Sequence, residues 1–347
     1  MQDLNDAIIL ACAKHGGALP SLATEQTGLS RVAVSRRLQK LVAAGYLQRH
    51  GTGTRPNYSL GQRRFWLGCL PRLDILRNGG EMAIWERHVA PLLDEVRANV
   101  KSLANTAFTE MLNNALDHSQ AQQVLMGLHL NAGQLQMVVA DDGVGLFNKI
   151  AASALLFDPR LAILELAKGK FTTAPDHHSG MGIFFSSRMV DGFAIESFGL
   201  RFDPHDNSHP LGVFDWIDIA AGLKPQPLGS VLRMAISLDS TRTPNEVYLK
   251  YFEPNEVGAD AFHTTEIPVR LAQLSSELVS RSQAKWVMER ATQFKTVILD
   301  FEGVAHVGQA FVDEVFRVFA VAHPEIQLKT MGMTPAVSQL VGLFVKL

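Results

Sequence analysis

Glu110, Asn113, Asn114, Asp117 and His118 put two acids, two amides and an imidazole into one short stretch. At about 100° per residue they share an arc of roughly 140° on one side of a helix, opposite Phe108, Met111, Leu112, Ala115 and Leu116. Carboxylate and amide oxygens can hold a hard cation or orient a water, but the same pattern also describes the solvated side of an ordinary amphipathic helix. What lies downstream favours chemistry. The apolar run Leu135 to Ala140 leads straight into Asp141-Asp142-Gly143-Val144-Gly145, so an acid ends a strand and two glycines let backbone approach a ligand closely. Further on, a polar stretch from Gly169 to Ser179 ends at Gly180-Met181-Gly182, ahead of the helical pattern Phe184 to Val190. Free N–H groups and the helix dipole at such a start favour an anion.

The positioning elements follow from hydrophobic period. Alternation gives a strand over Val124–Leu130; after a turn at Asn131-Ala132-Gly133 the apolar run Leu135–Ala140 reads as a second, and a weaker strand over Val231–Leu238 is entered through Gly229-Ser230. Residues 65–100 read as mainly helical, with Trp66 and Trp85 as packing residues. In order, Glu110…Asn114…Asp117, Asp141-x-Gly-x-Gly and Gly180-x-Gly182 resemble the N, G1 and G2 boxes of the GHKL ATPase superfamily, over roughly residues 90–240. That superfamily includes gyrase-type topoisomerases, heat-shock chaperones, histidine kinases and mismatch-repair ATPases. The resemblance implies an α/β sandwich in which helices and a mixed antiparallel sheet hold ATP under a mobile lid.

Carried over residue by residue, Asn114 resembles the amide that helps hold Mg²⁺ against the triphosphate, with Asp117 beside it on the same face. Asp141 resembles the acid that accepts a hydrogen bond from the adenine amino group. Gly143 and Gly145 resemble the glycines under the base, and Gly180, Met181 and Gly182 the segment beside the phosphates. Lys168, Lys170, Thr172, Thr173, His178 and Ser179 fall in the lid region, with no individual roles assigned. Glu110 matches the acid that handles water in hydrolysing members and serves phosphotransfer to a serine hydroxyl in the anti-sigma-factor kinases. A histidine kinase is disfavoured, because no helix pair with a phosphoacceptor histidine precedes the boxes; His88 is the nearest candidate and lacks a following acid.

The first sixty residues read as three helices and a ribbon. Leu4 to His15 stops at Gly16-Gly17, a second helix fits Pro20 to Gln26, and Ser30 caps a third over Arg31 to Ala44. Tyr46 to Leu60 then reads as two strands with a Gly51 to Pro56 tip. This resembles the winged helix-turn-helix modules of bacterial transcription regulators. Residues 1–60 hold seven Lys/Arg against three Asp/Glu, a sign that suits a phosphate backbone. Arg31, Ser35, Arg36, Arg37, Lys40, Arg49 and Arg55 are the candidate DNA contacts; a winged helix used for protein contact is the alternative.

After a polar break near Pro254 to Asp260 a new α/β pattern begins: strand His263–Val269, helix Leu274–Thr292, strand Thr296–Phe301, helix Gly308–Ala322, strand Ile326–Met331 and helix Pro335–Phe344. It resembles the STAS fold of anti-sigma-factor antagonists, and more closely the STAS-like domain of unknown function found beside GHKL modules. Where that family carries a phosphorylatable serine, this chain reads Ala305-His306-Val307-Gly308-Gln309-Ala310, with no hydroxyl. Asp300, Glu302 and Gln309 read as strand-end and cap residues.

The 347-residue length suits two or three domains, and the net charge of −2 confines any nucleic-acid contact to a local patch. Two cysteines, Cys12 and Cys69, exclude a disulfide framework. With neither a secretory start nor a membrane-length apolar run, the expectation is a cytoplasmic protein without membrane attachment. The expected fold class is multidomain α+β: a winged helix over 1–62, a GHKL-type α/β sandwich over 63–247 and a STAS-like α/β domain over 248–347. The expected function is an ATP- and Mg²⁺-binding, ATP-hydrolysing, DNA-associated regulator. The alternative is an anti-sigma-factor-type serine/threonine kinase acting on a separate protein. DNA through the winged helix and a protein through the STAS-like domain are the expected partners, and a homodimer is compatible with either reading.

Overall fold

The computed structural model describes residues 4–51, 56–131, 133–156, 158–168, 182–204, 229–250, 266–273, 275–289 and 291–344. Its contacts divide the chain into two compact units, Met1–Leu146 with Ser186–Pro244, and Phe147–Phe185 with Asn245–Leu347.

The first unit opens with α1 (Leu4–Ala11), α2 (Leu19–Thr27) and α3 (Arg31–Ala43). The first helix is shorter than its apolar spacing suggests, because Ala13–Ala18 forms a 3-10 turn in which Gly16 takes φ 52°. α2 stops at Gly28, whose φ of 68° lies in the left-handed region. Ser30 starts α3 by accepting the Ala33 N–H at 3.3 Å. β1 (Leu47–His50) and β2 (Asn57–Leu60) pair antiparallel, with Leu47 opposite Leu60 and His50 opposite Asn57.

The same unit builds a six-stranded antiparallel sheet. Its strands are β3 (Arg64–Pro71), β4 (Gln123–Leu130), β5 (Gln134–Asp141), β6 (Gly192–Ser197), β7 (Leu200–Phe202) and β8 (Ser230–Ser237), in the order β3-β4-β5-β8-β6-β7. Residues 72–93 are mainly helical as expected, but β3 departs from that expectation over residues 65–71. Phe65 is buried against the N-terminal helices while Trp66 stacks on His88 at 5.0 Å. With apolar contacts on both faces, the period-2 contrast that marks a strand disappears. Helices follow only after Pro71: α4 (Arg72–Arg77), α5 (Gly80–Ile84) and the long α6 (Ala98–His118).

Alternate residues of each strand face opposite sides of the sheet. On one side α6 lies across β5 and β8, burying Leu103, Ala107, Phe108, Met111, Leu112 and Ala115. On the other, Phe65, Leu125, Val138 and Ala140 share one buried cluster with Leu10, Leu38, Leu41 and Leu47. Tyr46 Oη and His129 Nε2 share a hydrogen bond at 2.9 Å on that side. The N-terminal module and the sheet therefore have a continuous core. Farther along the same face, Arg233 bonds Glu196 at 2.6 Å and Arg201 bridges Glu196 and Asp203. Burial pushes the Glu196 carboxyl up, but the two guanidiniums outweigh it and hold the group below its ordinary range.

In the second unit β9 (Glu266–Arg270), β11 (Thr296–Asp300) and β13 (Gln327–Met331) form a parallel sheet ordered β13-β11-β9. β10 (Glu277–Leu278) and β12 (His306–Val307) form a second, short parallel pair. The helix expected over Leu274–Thr292 is confined to α11 (Arg281–Met288). Ser280 fixes its start through a capping box: Ser280 Oγ accepts the Gln283 N–H at 3.1 Å, and Gln283 Oε1 accepts the Ser280 N–H at 3.0 Å. α12 (Gln309–Asp313) continues through Glu314–Phe319 and Ala320–Ala322, and α13 (Pro335–Gly342) is capped by Thr334.

α7 (Leu146–Ser153) enters this unit, and α8 (Arg160–Lys168) packs on β9, with Leu164 in the core beside Leu271, Val287, Leu299 and Phe311. The chain passes between the units again within α9 (Gly182–Met189) and α10 (Pro244–Leu249). No helix among the described residues is long and apolar enough to cross a membrane.

Candidate functional site

The polar face of α6 begins the site. Glu110 and Asp117 are exposed, whereas Asn113, Asn114 and His118 are half-buried. Asn114 lies at the edge of the polar arc, and its Nδ2 is buried with no hydrogen-bond partner among the described groups. An orphaned buried amide costs free energy unless something polar meets it. The amide can turn to present Oδ1 in the same place, the donor a hard cation requires.

α6 ends at a close backbone crossing. Ser119 is buried, its Oγ donating back to Ala115 O and accepting the Ala121 N–H at 3.0 Å, and Gln120 turns the chain out at φ 58°. The freed Ser119 carbonyl accepts the Val144 N–H at 2.9 Å. A Cβ on Gly143 would lie 2.0 Å from that carbonyl oxygen, so no other residue fits there without displacing backbone.

The two adjacent acids divide their work. Asp142 Oδ1 accepts the Gln122 and Gln123 N–H groups at 2.8 and 2.9 Å, which ties the loop to the start of β4. Asp141, only 2% exposed at the end of β5, faces the α6 side of the sheet and takes the Gly143 N–H on Oδ1 at 2.8 Å. A carboxylate so deeply placed can recognise a donor with little competition from water.

β8 and β6 close the loop from the side. Gly229 donates its N–H to Asp141 O at 2.6 Å, and a Cβ on it would meet Gly143 O at 2.3 Å. Ser230 Oγ accepts the Leu146 N–H at 3.0 Å, while Ser197 Oγ donates to Gly229 O at 2.7 Å. Gly145 takes φ +85°, and the Phe198 ring and Ser197 Oγ fill the space its Cβ would need. Phe198 itself sits at φ 47° ahead of Gly199, in the tight turn from β6 to β7.

Thus Glu110, Asn114, Asp117, Asp141, Gly143 and Gly145 all belong to the first unit, at α6 and the carboxyl end of β5. Gly182 is the first residue of α9 and is assigned to the second unit. Lys170, Thr172, Thr173, His178, Ser179, Gly180, Met181 and Arg55 lie outside the described residues. The structure adds Ser119, Ser197, Phe198, Gly229 and Ser230 to the residues that shape the loop. Of these only Gly229-Ser230, at a strand entry, carries a sequence signal.

Among the candidate DNA contacts, Arg31, Ser35, Arg36, Lys40 and Arg49 are exposed. Arg37 is half-buried, and its guanidinium is bonded to Asp6 at 2.8 Å inside the N-terminal module.

The residues present fit a purine nucleotide: a buried acceptor, backbone brought close by glycines, and an orphaned amide on the facing helix. No group of three or more His, Cys, Asp or Glu side chains among the described residues could hold a metal ion by itself. A cation here would complete its shell from phosphate oxygens and water, as Mg²⁺ commonly does.

Residues 86–201 match the family model of the histidine kinase-like ATPase domain, and residues 283–338 that of a STAS-like domain of unknown function. No curated protein matches the chain. The chain carries a histidine-kinase-like, GHKL-type ATPase domain, which supports ATP binding, and a C-terminal STAS-like domain.

Proposed function

We propose that this protein is an ATP- and Mg²⁺-binding, DNA-associated regulator of the cytoplasm, in which nucleotide occupancy changes how the STAS-like domain is presented. The observation that carries the nucleotide half is Asp141, a buried carboxylate at a strand end beneath glycine backbones that leave no room for a Cβ. Asp141 reads the base amino group, Gly143 and Gly145 lie under the base, and Asn114 holds the cation. Mg²⁺, when bound, neutralises phosphate charge. Asp117 stands one helical turn beyond Asn113 on the same polar face and orders water around the cation.

The DNA half rests on a basic N-terminal module of three helices and a ribbon, with Arg31, Ser35, Arg36, Lys40 and Arg49 exposed. Its core is continuous with the sheet that ends in Asp141, so a winged helix here moves with the nucleotide site rather than against it. The switched element is then the STAS-like domain. Duplex retention tests this half: Arg36→Ala/Lys40→Ala should weaken binding about tenfold near 0.1 M salt and flatten the salt dependence by about two phosphate contacts. Retention equal to wild type would remove α3 from the interface.

A second reading, phosphotransfer to a serine of a separate protein, is favoured by the STAS-like domain, a fold resembling anti-sigma-factor antagonists. Glu110, exposed on α6, suits either reaction as the group that takes a proton from water or hydroxyl. Glu110→Ala should keep ATP binding within about threefold and lower turnover by roughly 100-fold or more. Labelled phosphate found on protein rather than released would select the kinase reading, and turnover unchanged by the substitution would exclude Glu110 from the reaction.

A further inference from the structure

We propose that α8 is a relay from the nucleotide site to the STAS-like domain, fastened to that domain by the buried Glu165–Lys168 pair. The relay rests on the nucleotide reading above. Its basis is the course of the chain after the Asp141 loop. Leu146, held by Ser230 Oγ, begins α7; from Phe147 to Phe185 the chain belongs to the second unit, and at Ser186 it returns to the first. The ATPase match spans this whole excursion, so a segment inside that match is structurally part of the unit containing the STAS-like sheet.

α8 is buried as an interior helix is. Leu161, Ala162, Ile163, Leu164, Glu165 and Leu166 are all shielded, so no face is left for solvent. Within this apolar surrounding, Lys168 Nζ meets Glu165 Oε1 at 2.7 Å, with side chains 3% and 4% exposed. The ammonium also donates to Trp286 O at 3.2 Å and Glu289 O at 2.6 Å. Those carbonyls lie at the end of α11, where Trp286 O also takes the Glu289 N–H at 3.3 Å and the helix dipole favours a cation. All three ammonium donors are thereby used.

A buried ion pair gains little over a well-packed apolar pair, yet it punishes any arrangement that separates the charges. Here it fixes one register between α8 and the end of α11. Because α8 is covalently continuous with the Asp141 loop on one side and with α9 on the other, a shift of either on nucleotide binding bears on α8. The pair passes that displacement to α11.

Hydrogen exchange followed by mass spectrometry on the full chain, with and without ATP and Mg²⁺, tests the relay. Nucleotide should change exchange at least about twofold in peptides covering α8 and 281–289. Glu165→Met/Lys168→Met keeps side-chain bulk and removes both charges of the pair together; it should bind ATP within about threefold of wild type while losing the change at 281–289. Should that variant fail to fold, Lys168→Arg keeps the cation with a mismatched planar head and should attenuate the same change. ATP binding without altered exchange at 281–289 in wild type, or a change surviving intact in the variants, would overturn the relay alone. Absence of ATP binding by wild type would overturn the nucleotide reading and the relay with it.

Discussion

Asp141→Asn is expected to cost ATP affinity by about 100-fold while the first unit stays folded. Asparagine can keep the Gly143 bond, since its carbonyl oxygen can occupy the place of Oδ1, 2.8 Å from that N–H. Its second atom is then an NH₂, which sets a donor against the donor of the base. Losing a charge-assisted bond costs about 1.5–3 kcal/mol, and a buried donor left facing another adds to it. Sites built around a hydrogen bond discriminate strongly against ligands that cannot make it. Titration calorimetry reads the affinity, and thermal unfolding shows that the fold is retained. Undiminished binding would place the base elsewhere.

Gly143→Ala is expected to damage the fold itself. The added methyl would lie 2.0 Å from Ser119 O, and the clash cannot be relieved by rotating a side chain because the obstacle is backbone at the end of α6. Gly229 presses on Gly143 from the other side at a hypothetical Cβ distance of 2.3 Å from Gly143 O, so movement that way is blocked too. Overpacking of this kind costs about 3 kcal/mol or more. For a unit of this size that lowers its melting temperature by roughly 6–12 °C. Gly133→Ala is the control, because a Cβ there meets nothing within 4 Å. It should melt within a degree or two of wild type, and a Gly143→Ala protein that did the same would contradict the close crossing.

What could be read from the sequence is what local chemistry encodes. The stripe on α6 is periodic; the Asp141 loop announces itself through an apolar strand running into acid and glycine; Ser30 caps the helix it precedes. α11 starts at Arg281 rather than at Leu274, where apolar spacing alone puts it, because the Ser280–Gln283 capping box sets its beginning. β3 escaped because both of its faces are covered, leaving no alternation to detect.

Other features exist only in three dimensions. Ser119, Ser197 and Gly229 meet around Gly143 and Gly145 from three separate segments, and no spacing announces such a meeting. Nothing in Arg160–Lys168 says which core it joins, because an apolar helix satisfies any interior. Arg37 resembled its neighbours in charge and position, but the partner that occupies it, Asp6, lies on a different helix.

The central claim is that a purine nucleotide sits against Asp141 and is recognised by its amino group. Competition titration of the full-length wild-type chain with ATP and GTP in the presence of Mg²⁺ tests it most directly. The account predicts saturable heat for ATP at one site per chain, and GTP, which presents a carbonyl where adenine has its amino group, failing to displace it at tenfold excess. No heat with ATP, or displacement by GTP at equal concentration, would contradict it.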